Sequence, residues 1–102
     1  MQLYQKKRIE IVVEASCAPT ILEMIEVTGA KGYTVLRDVS GKGHRGVRTD
    51  SHVTDVFRNV LIIVITAEDI AHEIVRKSQP LLENYAGIVT MSDVDVVRDD
   101  HF

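Results

Sequence analysis

The sequence predicts an α+β domain built as strand-helix-strand-strand-helix-strand. Three observations carry that expectation. Short β-branched runs at residues 8–15, 33–39, 57–65 and 87–96 read as strands. Two stretches with apolar residues at i, i+3 and i+4 spacing read as helices between the first and second strands and between the third and fourth. Two strand-helix-strand halves, each with a right-handed crossover, then fold into a four-stranded antiparallel sheet with both helices on one face, the ferredoxin-like βαββαβ plan. The 102 residues form one domain in this reading, without internal repeats.

The first strand, Arg8 to Ala15, carries Ile9, Ile11, Val12 and Val13, and Lys6, Lys7 and Arg8 mark a solvated start. Pro19 suits the first turn of a helix, where its missing N–H costs nothing. Ile21, Leu22, Ile25 and Thr28 recur at helical spacing, and Gly29 and Gly32 supply the stop. Tyr33 to Val39 alternates Tyr33, Val35 and Arg37 on one face with Thr34, Leu36 and Asp38 on the other.

Regular structure is not expected again until about Val56, a gap long enough to suggest a working loop. Phe57 to Ile65 then contains six consecutive apolar residues, Val60 to Ile65. An exposed sheet alternates, so this strand expects cover on both faces. One layer of helices covers one of them, and a second copy of the protein is the natural cover for the other. Thr66 and Asp69 have the form of a capping box. Ala67, Ile70, Ala71, Ile74 and Val75 trace an apolar helix face that Pro80 is expected to end. Gly87 to Val96 is the last strand, and Arg98 to Phe102 is a polar tail.

The long gap contains Ser40-Gly41-Lys42-Gly43-His44-Arg45-Gly46-Val47-Arg48. Glycines let successive backbone N–H groups converge on an anion, and lysine and arginine add charge, the latter with a fork that fits phosphate or carboxylate. Lys42, Arg45 and Arg48 face only Asp50 in this segment, whereas the whole chain has a net charge of -3. That balance argues against a surface made for nucleic acid and for a local anion site. RNA recognition by this element order also needs aromatic residues on the first and third strands, and only Phe57 qualifies. Cys17 is the single cysteine, so an internal disulfide is excluded and a cytoplasmic setting is expected. The start of the chain lacks the pattern of a secretory leader, and no run has the length of a membrane span. His44, His52, His72 and His101 show no zinc-like spacing, so no metal is expected. An anion nest also suits an enzyme hydrolysing a phosphate ester or anhydride, with Asp38 and Asp50 as the nearest carboxylates. The stretch shows no convincing nucleophile or base, and a non-catalytic binding module is the first reading.

Gly29-Ala30-Lys31-Gly32-Tyr33-Thr34-Val35, the loop Gly41 to Arg48, and Tyr85-Ala86-Gly87-Ile88-Val89 together resemble the PII signal-transduction family. They are most similar to its PII-like regulators associated with carboxysomes and bicarbonate transport. The resemblance spans nearly the whole chain. It implies a homotrimer whose sheets pack around a central axis, with ADP or AMP bound in clefts between subunits. It further implies a T-loop at about 39–56, a B-loop at about 79–87 and a tail at 98–102. The T-loop would respond to ligand and dock on a protein partner: a transporter, a carboxysome component or an enzyme.

Carried over by position, Thr34 lies near the adenine, Gly41, Lys42 and Gly43 near the phosphates, and Gly87 and Ile88 on the opposing B-loop. Val64, Ile65 and Thr66 fall where, in the family, a neighbouring subunit helps enclose the base, and His44, Arg45, Gly46 and Arg48 are the expected phosphate or bicarbonate contacts. The chain departs from the family's main branch in having Ile88 where a phosphate-binding lysine stands, which shifts the expectation from ATP to ADP or AMP. It also has a single tail arginine, Arg98, no tyrosine between Ser40 and Val56 for uridylylation, and no cysteine pair in the tail.

Overall fold

Residues 1–41 and 58–102 are described by the computed structural model. They form β1 (Tyr4–Glu14), a 3₁₀ turn (Ala15–Cys17), α1 (Ala18–Thr28), β2 (Thr34–Val39), β3 (Asn59–Thr66), α2 (Glu68–Leu81) and β4 (Gly87–Val96). The strands make one antiparallel sheet in the order β2-β3-β1-β4, so the predicted ferredoxin-like α+β plan is the observed one.

The core lies between the sheet and the helices. Ile9, Ile11 and Val13 of β1 and Val60, Ile62 and Val64 of β3 project toward Ile21 and Ile25 of α1 and Ala71 and Ile74 of α2, all fully or almost fully buried. Strand periodicity sends the alternate residues the other way. Arg8, Glu10 and Val12 therefore share the opposite face with Leu61, Ile63 and Ile65, all only part-buried. Among the described residues no helix packs on that face, and the tail reaches it only at Lys6, through Asp99. The doubly apolar β3 is thus covered by helices on one side only.

Four local expectations are corrected. β1 begins at Tyr4 rather than Arg8, because Tyr4 to Lys7 pair with Val96 to Asp93 of β4. Its cations are not a solvated start: Lys6 is paired with Asp99, Lys7 with Asp93 and Arg8 with Glu10. The Thr66–Asp69 capping box does not form. Alternation along β3 turns Thr66 into the core, Ala67 takes the N-cap position without a side-chain bond, and Asp69 Oδ1 accepts the Ile70 N–H at 2.9 Å. Nor does Pro80 end α2. It sits inside the last turn, where it removes a single backbone donor, and the helix closes when the Leu82 N–H donates to the Ser78 and Gln79 carbonyls. α1 ends as expected, with Gly29 in a left-handed conformation at φ +111°.

Ile62→Ala removes a buried side chain from the centre of this core and is expected to cost about 2–5 kcal/mol in urea unfolding compared with the parent at the same protein concentration. A loss below about 1 kcal/mol would contradict this placement of the core.

Candidate functional site

β2 leads into the glycine-rich segment through a bulge. Leu36 pairs with Leu61 and Val39 with Asn59, so β2 spends one extra residue between them. Asp38 absorbs it at φ +58°, a left-handed conformation that aspartate tolerates better than a β-branched residue. The simple alternation expected through Arg37 and Asp38 is therefore broken just before the chain leaves the sheet at Ser40 and Gly41. Tyr33 precedes the strand, and its hydroxyl bonds Glu26 Oε1 at 3.3 Å.

Thr34 opens β2, exposed, with Ile63 as its partner. β3 continues beyond it. Val64, Ile65 and Thr66 pair with Ile9, Arg8 and Lys7 of β1 but have no ladder partner in β2. A short backbone edge is left beside Thr34. The Val64 side chain is fully buried in the core, so only its main chain is available to a ligand. Thr66 is 1% exposed, and its Oγ1 has no hydrogen-bond partner among the described residues.

Gly87 and Ile88 lie elsewhere. They pair with Val13 and Val12 on β4, at the other edge of the sheet. With β3 and β1 in between, strand spacing alone separates β2 from β4 by about 14 Å. One protomer thus brings Thr34 together with Val64, Ile65 and Thr66, and keeps Gly87 and Ile88 apart from them. Packing gives Gly87 its own reason to be glycine: an added Cβ would stand 3.0 Å from the Val12 carbonyl oxygen, Val13 Cγ1 and Leu82 Cδ2. Ile88 is 60% exposed on the face away from the helices. Lys42, Gly43, His44, Arg45, Gly46 and Arg48 lie outside the described residues, as do Phe57 and most of the expected T-loop. Of the expected B-loop, residues 79–81 belong to α2.

The pairs between β1 and distant acids are contacts that sequence reasoning missed. Lys6 Nζ meets Asp99 Oδ1 at 2.6 Å and ties the tail to the first strand. The Lys7 ammonium pKa is raised by its hydrogen bond to Asp93, with desolvation opposing the shift. Arg98 Nη1 lies 3.4 Å from His101 Nε2. Burial, helped by nearby Glu14, pushes the Cys17 thiol pKa up, in keeping with a packing role. A shallow groove beside the start of β4, lined by Val75, Ser78, Gln79, Leu82, Glu83 and Val89, presents no convergent set of catalytic groups.

Residues 6–101 match the family model for nitrogen regulatory protein P-II. The chain belongs to the PII family. CPII, a PII-like protein from Thiomonas intermedia K12, has a structure bound to ADP, AMP and acetate with a TM-score of 0.86 and 27% identity. That match covers 100% of this chain and 98% of that one. A second CPII structure, bound to ADP and bicarbonate, has a TM-score of 0.82 and 30% identity over 95% and 93% of the two chains. A Thermus thermophilus protein regarded as PII-like is 30% identical over 100% and 99%, with a TM-score of 0.80. The chain is thus a PII-like regulatory protein, of a family of signalling proteins that generally form trimers, bind nucleotides and are not enzymes. No helix among the described residues of this PII-like chain is long and apolar enough to cross a membrane.

Two substitutions separate packing from ligand binding. Gly87→Ala is expected to lower unfolding free energy by about 1–3 kcal/mol, because strand backbone has to give way. Thr66→Val removes a buried, unpartnered hydroxyl and should leave stability unchanged or raised in the same urea titration. A clear loss for Thr66→Val would mean that the hydroxyl is bonded in the native protein.

Proposed function

We propose that this chain is a PII-like sensor that binds ADP or AMP between neighbouring copies of a homotrimer, takes bicarbonate as a second ligand, and signals through residues 39–56. The observation that supports it best is the division of the carried-over positions between two edges of one sheet. Thr34 and the free edge of Val64–Thr66 lie at the β2 side, and Gly87 at the β4 side. A cleft between adjacent copies joins an edge of one to an edge of the next, completing a site that neither holds alone.

In this reading the adenine sits against Thr34 and the main chain of Val64 and Ile65, using the backbone groups that β2 leaves unpaired. Thr66 closes the strand end. The phosphates meet backbone N–H groups and the cation at Gly41, Lys42 and Gly43, with Gly87 opposite. A bicarbonate beside a nucleotide phosphate is a second negative charge, and only nearby cations offset the repulsion. Arg45 and Arg48 supply them, with His44 and the Gly46 N–H as further donors, and a guanidinium fork suits a small planar anion. Ile88 offers no cation to a third phosphate, which favours ADP or AMP over ATP. Ligand contacts made only in one arrangement of residues 39–56 shift the loop toward it, and the differential affinity sets the size of the shift. A protein partner in inorganic-carbon or nitrogen metabolism then reads the loop. The bicarbonate-bound relative favours the carbon branch.

Calorimetric titration with ADP, at constant pH and ionic strength, tests the ligand reading. Bicarbonate is expected to tighten ADP binding by about fivefold or more. Arg45→Ala and Arg48→Ala should weaken the coupling while leaving the melting temperature within a few degrees. Unchanged ADP affinity with bicarbonate present would remove bicarbonate from the site, and unchanged binding in both variants would move the anion elsewhere.

A further inference from the structure

The face of the sheet away from the helices holds an ion pair in the middle of its central strand. Arg8 and Glu10 are two residues apart on β1, so both project to that face. Arg8 Nε and Nη2 both donate to Glu10 Oε2, at 3.0 and 2.7 Å. Among the described residues no bond engages Arg8 Nη1 or Glu10 Oε1, so each half keeps bonding capacity. On the β3 side of the pair the face is apolar, with Ile65 and Ile63 as partners of Arg8 and Glu10 and with Val12, Leu61 and Ile88 continuing the patch, whereas on the β4 side the partners are the hydroxyl residues Ser92 and Thr90. The two side chains are 36% and 40% exposed. Lys6, the neighbouring cation on the same face, is held by Asp99.

We propose that Arg8 and Glu10 act between copies of this chain: in the assembly, Arg8 of one protomer also donates to Glu10 of the next. The occupant of the face is a second copy, because one surface carries both an unsatisfied donor and an unsatisfied acceptor at fixed spacing and so complements itself. Around a closed ring the contacts form a circuit of alternating charge beside the apolar β3 side of the face. Such a pair adds little net stability over apolar residues of the same size, but it fixes how the greasy surfaces register, and losing one member strands the other charge. This rests on the reading that the chain self-assembles through this face, and it adds which residues select the geometry.

Sedimentation equilibrium across a concentration series tests it, with Arg8→Met, Glu10→Leu, the double variant Arg8→Met/Glu10→Leu, and the exchange Arg8→Glu/Glu10→Arg. Each single variant is expected to weaken association by at least about tenfold. The double apolar variant and the exchange should each return it to within about threefold of the parent. The exchange also guards against misfolding, since it keeps both charges in place. Single variants that associate like the parent, or pairs no better than the worse single variant, would overturn the ion circuit. A parent protein that stays monomeric, its face covered by residues 42–57 or awaiting another protein, would instead overturn the assembly reading beneath it.

Discussion

β3 has apolar residues on both faces, and the two helices cover only one of them. Val60, Ile62 and Val64 are sealed under α1 and α2, while Leu61, Ile63 and Ile65 look the other way with Val12 beside them. Monomeric proteins rarely expose a contiguous apolar patch of that kind without a use for it. The rest of the account follows from that imbalance. In the proposed assembly further copies cover the second face and bring sheet edges from different protomers together, the edges where the carried-over ligand positions lie.

Several groups with an evident functional reading also have a packing role. Gly87 is opposed by strand backbone and two side chains, so its lack of a side chain serves the sheet even before any nucleotide arrives. Val64 contributes a side chain to the core and leaves only its main chain for binding. Asp38 accommodates the bulge that ends the regular pairing of β2 just before Ser40 and Gly41. The sheet thereby sets where the chain leaves β2 at Ser40 and Gly41.

Much of the fold was legible because it rests on local periodicity. The β-branched alternation of β1, the 3.6-residue spacing of both helices and the stop at Gly29 are all short-range signals. Errors arose where long-range pairing decided the outcome. Tyr4 to Lys7 become strand because β4 supplies partners some ninety residues later, and Thr66 leaves its predicted cap because the β3 alternation drives it inward. The glycine and arginine composition makes residues 40–48 the expected anion site, most of which lies outside the described residues. Division of the carried-over positions between two sheet edges, by contrast, follows from strand order, which no local pattern encodes. The same is true of Lys6–Asp99 and Lys7–Asp93.

Native mass spectrometry of the protein titrated with ADP gives the most direct test of a binding site shared between copies. The account predicts a species of three 11.4 kDa chains that takes up to three nucleotides, and lone chains that carry none. A single chain that retains ADP as well as the assembly does would contradict it.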